Sequence, residues 1–307
     1  MNERSVLLII IVLIIILVLL LCRLNKQYFF TDILLDKLKQ NKIKNPLTSS
    51  EQIPRILVQT HHYDRFDDIQ IENKKIMQNL RDTNPNWDYR YYNDTDSRNF
   101  IKYSMPGRVL DAYDSINPLY GPAQADLFRY IAIYVHGGVY LDCKSDTSIP
   151  LDDIFQYKES LFLAQWSSIA PWSETVGMKG GEFINWAIAA PKNDPILYHV
   201  IMYIVENIEK ESKKPIEDHQ TGKKGVLKLT GPIAFSLGVG DYMEKNKYPL
   251  IVYPSAKELG LNYISPLNDN NKSKKHYDEQ QVTHYSKLTE PIIFENSPDH
   301  ITDRPER

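Results

Sequence analysis

Cysteine is nearly absent: two residues in 307, Cys22 inside an apolar run and Cys143 beside Asp142, so no intramolecular disulfide framework organises this chain. Charge of one sign is lacking too. With 36 Lys and Arg against 39 Asp and Glu, the net charge of −3 provides no basic field for a nucleic acid partner. Internal repeats and low-complexity tracts do not occur. Long apolar runs are confined to one place, Val6 to Cys22, and everything after it mixes polar and apolar residues as a folded domain does.

That run would span about 26 Å as a helix, close to the thickness of a bilayer core. It exceeds the usual signal-peptide core, and Leu21-Cys22-Arg23-Leu24 shows no small-x-small cleavage pattern. Residues 1–22 are therefore expected to be an uncleaved transmembrane signal anchor, followed by a polar, lysine-rich stem over 23–51. One catalytic domain over 52–290 and a tail over 291–307 complete the organisation. Arg4 precedes the run while Arg23, Lys26, Lys37 and Lys39 follow it, so basic residues alone do not fix the orientation.

The chemistry concentrates between Pro122 and Asp153. Pro122 suits a first helical position, and Phe128, Ile131, Ala132 and Val135 recur at i, i+3, i+4, i+7, predicting a helix with one apolar stripe. On a helical wheel Asp126, Arg129 and Tyr130 fall on roughly the opposite face, away from the packing side. Gly137-Gly138 ends the helix. Val139-Tyr140-Leu141 is a short apolar strand that delivers Asp142 to its carboxyl end, the edge at which α/β sheets bind ligands. Lys144, Asp146, Asp152 and Asp153 follow.

The ordered series Ala125-Asp126-Leu127-Phe128-Arg129-Tyr130, Gly137-Gly138-Val139-Tyr140-Leu141-Asp142, Lys144, Asp146 and Pro150-Leu151-Asp152 resembles the glycosyltransferases with a DXD-type sugar-binding region. These are family 32, which includes the yeast initiating mannosyltransferases. More distantly it is similar to the glucosylating clostridial toxins. One position departs: the family reads Asp-x-Asp where this chain has Asp142-Cys143-Lys144.

The resemblance implies an α/β, GT-A-like (Rossmann-related) catalytic domain behind the membrane helix, and a retaining transfer of a hexose of mannose, glucose or galactose type. The donor would be a GDP or UDP sugar, and the acceptor a glycan, glycolipid or glycoprotein. It implies a type II, single-pass protein with a lumenal (Golgi- or ER-like) or exoplasmic catalytic domain. Catalytic roles fall by resemblance to Asp126, Arg129 and Asp142. Donor binding falls to Gln59, Asp126, Arg129, Tyr140, Asp142 and Lys144, and the acceptor cleft to Asn185, Trp186 and Gly231. A departing diphosphate carries two to three negative charges, and Mn²⁺ or Mg²⁺ held by Asp142, Asp146 and His284 is the expected cofactor. Lys144 is expected to face the diphosphate or pair with a carboxylate. The alternative is a membrane-anchored, inactive sugar-binding or scaffold protein in which the change to Lys144 has removed catalysis.

The flanking segments support this frame. Pro54–Thr60 resembles the family's opening strand, and Asn84–Tyr92 reads as a turn and a strand with Trp87, Tyr89 and Tyr91 on one side. Asp67–Arg81 reads as an amphipathic helix opened by an Asp cap. Ser160–Ser168 and Phe183–Pro191 read as strands, and Asp194–Lys213 as a long helix with Leu197, Val200, Ile201, Ile204, Val205 and Ile208 inward. The charged segment Lys213–Lys224 is open to reading as a mobile lid or a solvated loop. Thr230-Gly231-Pro232 matches the family's turn into a helix, and Gln281–Tyr285 reads as a short strand carrying His284.

Overall fold

The computed structural model describes residues 52–155, 160–165, 182–246, 252–253, 255–264 and 284–294. The chain divides into two compact units, Met1–Leu47 and Thr48–Arg307, and every described residue lies in the second. The apolar run 6–22, the stem, Trp166, the glycines at 177–181, the segment 281–283 and the tail from 295 lie outside the described residues. Among the described residues no helix is long and apolar enough to cross a membrane.

In chain order the strands are β1 (Ile56–Thr60), β2 (Asp88–Tyr92), β3 (Gly138–Leu141), β4 (Ser145–Thr147), β5 (Leu163–Ala164), β6 (Ala187–Ala190), β7 (Val252–Tyr253) and β8 (Leu261–Tyr263). The helices are α1 (Ile71–Asp82), α2 (Asp94–Ser104), α3 (Arg108–Asp114), α4 (Gly121–His136) and α5 (Leu151–Phe155). Three more follow: α6 (Pro195–Glu211), α7 (Gly222–Leu229) and α8 (Pro232–Asn246). This is a mixed α/β domain.

The central sheet has the order β2-β1-β3-β6. β1 runs parallel to β2, with Leu57 opposite Tyr89, and parallel to β3, with Leu57 opposite Val139. β6 closes the edge antiparallel, with Leu141 opposite Ala187. The side-chain alternation of a strand divides the core in two. Val58, Tyr140, Ile188 and Ala190 join α4, α6 and α8 on one face. Leu57, Val139, Leu141, Ala187 and Ala189 join Leu80, Trp87, Leu151 and Ile154 on the other. Helices thus cover both faces of a largely parallel sheet, and the carboxyl ends of β1, β2 and β3 share one edge.

α4 fills the connection into β3 and ends where expected. Gly137 and Gly138 have φ of +69° and +97°, and a Cβ on Gly138 would overlap the Ile56 carbonyl of the neighbouring strand. The expected solvent-facing stripe is overturned: Asp126, Arg129 and Tyr130 are buried together with the apolar face. The loop at Asn185 and the turn at Thr230 cover them with hydrogen-bonding partners, so the wheel's polar side faces a second packed layer.

α1 starts three residues later than an Asp67 cap would place it, because Asp67 lies in the preceding 3₁₀ turn and pairs with Lys74 at 2.8 Å. α6 is capped by Asp194, whose Oδ1 accepts from the N–H groups of Ile196 and Leu197. The segment after it is a tied loop. Glu211 pairs with Lys214 at 2.7 Å and accepts the Gln220 N–H, while the buried ring of His219 contacts the carbonyls of Lys214 and Ile293, each at 3.1 Å.

Near the C-terminus the chain returns to the start of α4. Asn117 N–H donates to the Ile292 carbonyl at 2.8 Å and Phe294 N–H to that of Ser115 at 2.9 Å. His284 does not lie in a strand; it caps a 3₁₀ turn, Tyr285–Lys287, accepting the Ser286 N–H.

Candidate active site

Five segments meet at the carboxyl end of β3. At the centre is Arg129, 5% exposed. Its Nη1 donates to the Asn185 carbonyl at 2.8 Å and its Nε to that of Ala125 at 3.2 Å. Its guanidinium faces Asp126 Oδ1 and Asp142 Oδ1, both at 3.2 Å, and lies 4.8 Å above the Tyr140 ring. Burial works against this charge, but Asp142, Tyr140 and Asp126 outweigh it and hold the guanidinium above its ordinary value.

Asp126, 6% exposed, is satisfied on both oxygens. Asn185 Nδ2 donates to Oδ1 at 2.9 Å and Thr230 Oγ1 to Oδ2 at 3.1 Å. Tyr130 closes the circuit, its hydroxyl donating to the Thr230 carbonyl at 3.0 Å and accepting from Asn185 Nδ2 at 2.9 Å. Burial pushes the Asp126 carboxyl up to about 6 against the pull of Arg129, with Asp142 adding to the rise. Gly231 is required by this packing: a Cβ there would stand 2.9 Å from Leu227 Cα and 3.4 Å from Asp126 Oδ2.

Asp142 is the member that reaches the surface, its side chain 24% exposed. Its Oδ1 accepts the Tyr140 hydroxyl at 3.0 Å, and its N–H donates to the Trp186 carbonyl at 2.9 Å. Gln59 is a fully buried strut beneath it. Its Nε2 donates to the carbonyls of Leu141 and Asp142, each at 3.3 Å, and its Oε1 accepts the Tyr89 hydroxyl at 3.1 Å. The half-buried Cys143 thiol is pushed up to about 12 by burial, with Asp142 adding, and stays protonated.

The structure therefore joins Asp126, Arg129, Tyr140, Asp142, Asn185 and Gly231 into one contact network, with Gln59 and Trp186 bonded to the Asp142 backbone. Asn185 serves the buried network rather than an open acceptor cleft, because its amide and carbonyl are both taken by Asp126, Tyr130 and Arg129. Trp186 is buried, its ring 5.3 Å from Tyr263. Thr230, Tyr130 and Tyr263 were not expected in the site. Thr230 had a signal, since it opens the turn that drew attention to Gly231.

Asp142, Asp146 and His284 are not brought together as metal ligands. Among the described residues no group of three or more His, Cys, Asp or Glu side chains is placed to hold an ion. The segment between Asp142 and Asp146 opens with a turn, in which Ser145 N–H donates to the Asp142 carbonyl at 2.8 Å. Asp146 continues into β4, opposite Asn262 of β8, and His284 Nδ1 lies 2.6 Å from Ser286 Oγ. Asp142 Oδ1 already receives a hydroxyl and a guanidinium. Divalent ions require several oxygen donors, and this set does not fit one held by the protein alone. Lys144 is half-buried in the turn and makes no ion pair among the described residues, so the expected pairing with Asp142 or Asp146 is not formed.

Residues 71–160 match the family described as "Glycosyltransferase sugar-binding region containing DXD motif". The chain is similar to inositol phosphoceramide mannosyltransferase 3 of Schizosaccharomyces pombe, 30% identical over 132 residues that cover 42% of this chain and 35% of that protein. It is also similar to the initiation-specific alpha-1,6-mannosyltransferase of the same yeast, 26% identical over 216 residues, 65% of this chain and 51% of the relative. The chain thus spans about a third to a half of the length of these curated relatives. Among solved structures it is similar to the PaToxG glycosyltransferase, with a TM-score of 0.45 and 14% identity over 76% of this chain and 80% of that one. The segment that carries Asp126, Arg129 and Asp142 lies within the residues that match the family of glycosyltransferase sugar-binding regions containing a DXD motif.

Proposed function

We propose that this protein transfers a hexose, mannose first among the candidates, from a GDP or UDP sugar to a hydroxyl of a glycan or glycolipid. The observation that carries the reading is the buried Asp126–Arg129–Asp142 circuit, which ends in one partly exposed carboxylate at the ligand-binding edge of the sheet. A structural ion pair would be closed by its two members. Here a third acid extends the circuit outward, and Tyr140, Asn185 and Thr230 fix its geometry before any ligand arrives. In this reading Asp142 accepts hydrogen bonds from the donor sugar's hydroxyls, and Arg129 and Asp126 are positioning residues that hold Asp142 in place. The bond from the anomeric carbon to the diphosphate oxygen breaks, and one to the acceptor oxygen forms. The acceptor's proton passes to the departing diphosphate or to solvent. The resemblance favours retention at the anomeric carbon.

The test uses the full chain in detergent. Release of nucleoside diphosphate is followed across a panel of GDP and UDP hexoses, with and without glycan and glycolipid acceptors, and the anomeric configuration of the product is read by NMR. Asp142→Asn is expected to lower turnover on the order of a hundredfold in a protein that still unfolds cooperatively, its midpoint lowered because buried Arg129 loses one of its two carboxylates. Undiminished turnover in a folded Asp142→Asn protein would refute the assignment. Donor binding without release of diphosphate from any donor would favour the inactive sugar-binding alternative.

A further inference from the structure

The contacts beneath Asp142 run across the sheet to Tyr89 of β2. Backbone pairing of β1 with β3 runs through Leu57–Val139 and Val58–Tyr140. Beyond it a side chain carries the link: Gln59 Nε2 donates to the carbonyls of Leu141 and Asp142, each at 3.3 Å, and its Oε1 accepts the Tyr89 hydroxyl at 3.1 Å. These partners set the orientation of the amide. Two carbonyls offer no proton and the phenol does, so Nε2 faces the carbonyls and Oε1 the hydroxyl. Burial raises the Tyr89 phenol above its ordinary value and keeps that proton in place. The ring itself is gripped. The Arg81 guanidinium, from the last turn of α1, lies 4.6 Å above it, and the Phe66 ring meets it edge-on at 6.5 Å. At the far end of the link, the Asp142 carbonyl also accepts the Ser145 N–H at 2.8 Å, and the Asp142 N–H donates to the Trp186 carbonyl at 2.9 Å. Tyr91, the next residue on the same side of β2, spends its hydroxyl elsewhere, on the carbonyls of Tyr63 and His61.

We propose that Tyr89 is a positioning residue for glycosyl transfer: acting through Gln59, it fixes the Asp142 backbone and so the carboxylate that meets the donor sugar's hydroxyls. The proposal rests on the glycosyl-transfer reading and deepens it. Gln59 is fully buried, so removal of the phenol oxygen leaves Oε1 without its partner in a place where water does not replace it. An amide in that state turns or withdraws. The carbonyls of Leu141 and Asp142 then lose their shared donor together, at the point where the ladder between β1 and β3 has already ended. Misplacement of a reacting group by about 1 Å costs on the order of a hundredfold in rate. The contacts of the Asp142 carboxylate with Arg129 and Tyr140 limit its drift, so a smaller loss is expected here.

The test compares Tyr89→Phe, which keeps the ring between Arg81 and Phe66, with Gln59→Met, an unbranched apolar replacement of similar length, in the full chain in detergent. Tyr91→Phe is the control. Amide hydrogen exchange over residues 140–146 is expected to rise about tenfold in the first two variants and to keep the parent's rate in the control. The variant with both changes should match Gln59→Met alone, because effects that pass through one residue do not add. Turnover, read as release of nucleoside diphosphate, is expected to fall about tenfold in Tyr89→Phe, and by less than about twofold when the same change is made in Asp142→Asn. General loosening of the fold would cost the same factor in both backgrounds. Unchanged exchange over 140–146 in Tyr89→Phe, or an equal loss of turnover with and without the Asp142 carboxylate, overturns the positioning role and leaves the transfer reading standing. A parent that releases no diphosphate from any donor overturns both.

Discussion

Arg129 separates charge from geometry more cleanly than any other residue here. Its guanidinium donates to two carbonyls, faces two carboxylates and stacks on a ring, all while 5% exposed. A lysine would carry the same charge on one nitrogen and could not occupy these directions at once. Arg129→Lys is therefore expected to destabilise the fold by about 3–5 kcal/mol, the range for breaking a buried pair, as read from urea denaturation. A loss under about 1 kcal/mol would mean that charge alone suffices. The identities of Asp126, Arg129 and Asp142 were legible because their order and spacing are local. Their burial was not, because a helical wheel sends polar residues toward water unless something covers them. The covering groups, Asn185 and Thr230, lie 59 and 104 residues away from Asp126 in sequence, beyond any local pattern.

At the level of elements, periodicity revealed α4 and α6, and alternating aromatics revealed β2, whose Tyr89 and Tyr91 both meet the edge of Phe66. The short pairings were hidden. β4 with β8, and β5 with β7, join two or three residues about 90 to 120 positions apart, and so short a segment carries no period to read. The turn at Asp142–Ser145 was hidden too, since nothing in Cys143-Lys144 marks it. The junction of α4 with β3 can be tested through its glycines. Gly138→Ala must accept φ +97° and also displace the Ile56 backbone, whereas Gly107→Ala meets φ +74° with nothing within 4 Å of its Cβ. Gly107→Ala is expected to cost about 1 kcal/mol. Gly138→Ala should cost roughly 3 kcal/mol or more, as strain and overlap combine. Equal urea midpoints for the two variants would show that β3 sits less tightly on β1 than the register indicates.

Across the whole molecule, two titrating groups on α4 set opposing pH dependences. His136 is held neutral between Arg90, whose Nη1 donates to its Nδ1 at 2.8 Å, and the Tyr92 hydroxyl, 3.0 Å from its Nε2. Arginine has no acceptor, so Nδ1 is the bare nitrogen and Nε2 carries the proton. Burial, then Arg90 and Lys192, lower its pKa to about 4. The unfolded chain, with a His near the ordinary 6.5, binds a proton between these values that the fold refuses. This contribution is therefore complete above about 6.5 and is lost as pH falls toward about 4. Asp126 works the other way. With its carboxyl raised to about 6, the fold binds a proton that the unfolded chain, titrating near 3.9, releases. Its contribution is complete below about 3.9 and is lost as pH rises through about 6. The two windows overlap and partly cancel in the parent, so the variants reveal them. The stability lost in His136→Gln should be larger at about pH 7 than at about pH 4.5, because acid already penalises the parent's neutral ring. The loss in Asp126→Asn should be larger at about pH 4.5, where protonation has relieved the parent's buried charge. Urea denaturation of the three proteins at both pH values measures the two differences. If they move in the same direction, one of these two groups does not titrate as its surroundings require.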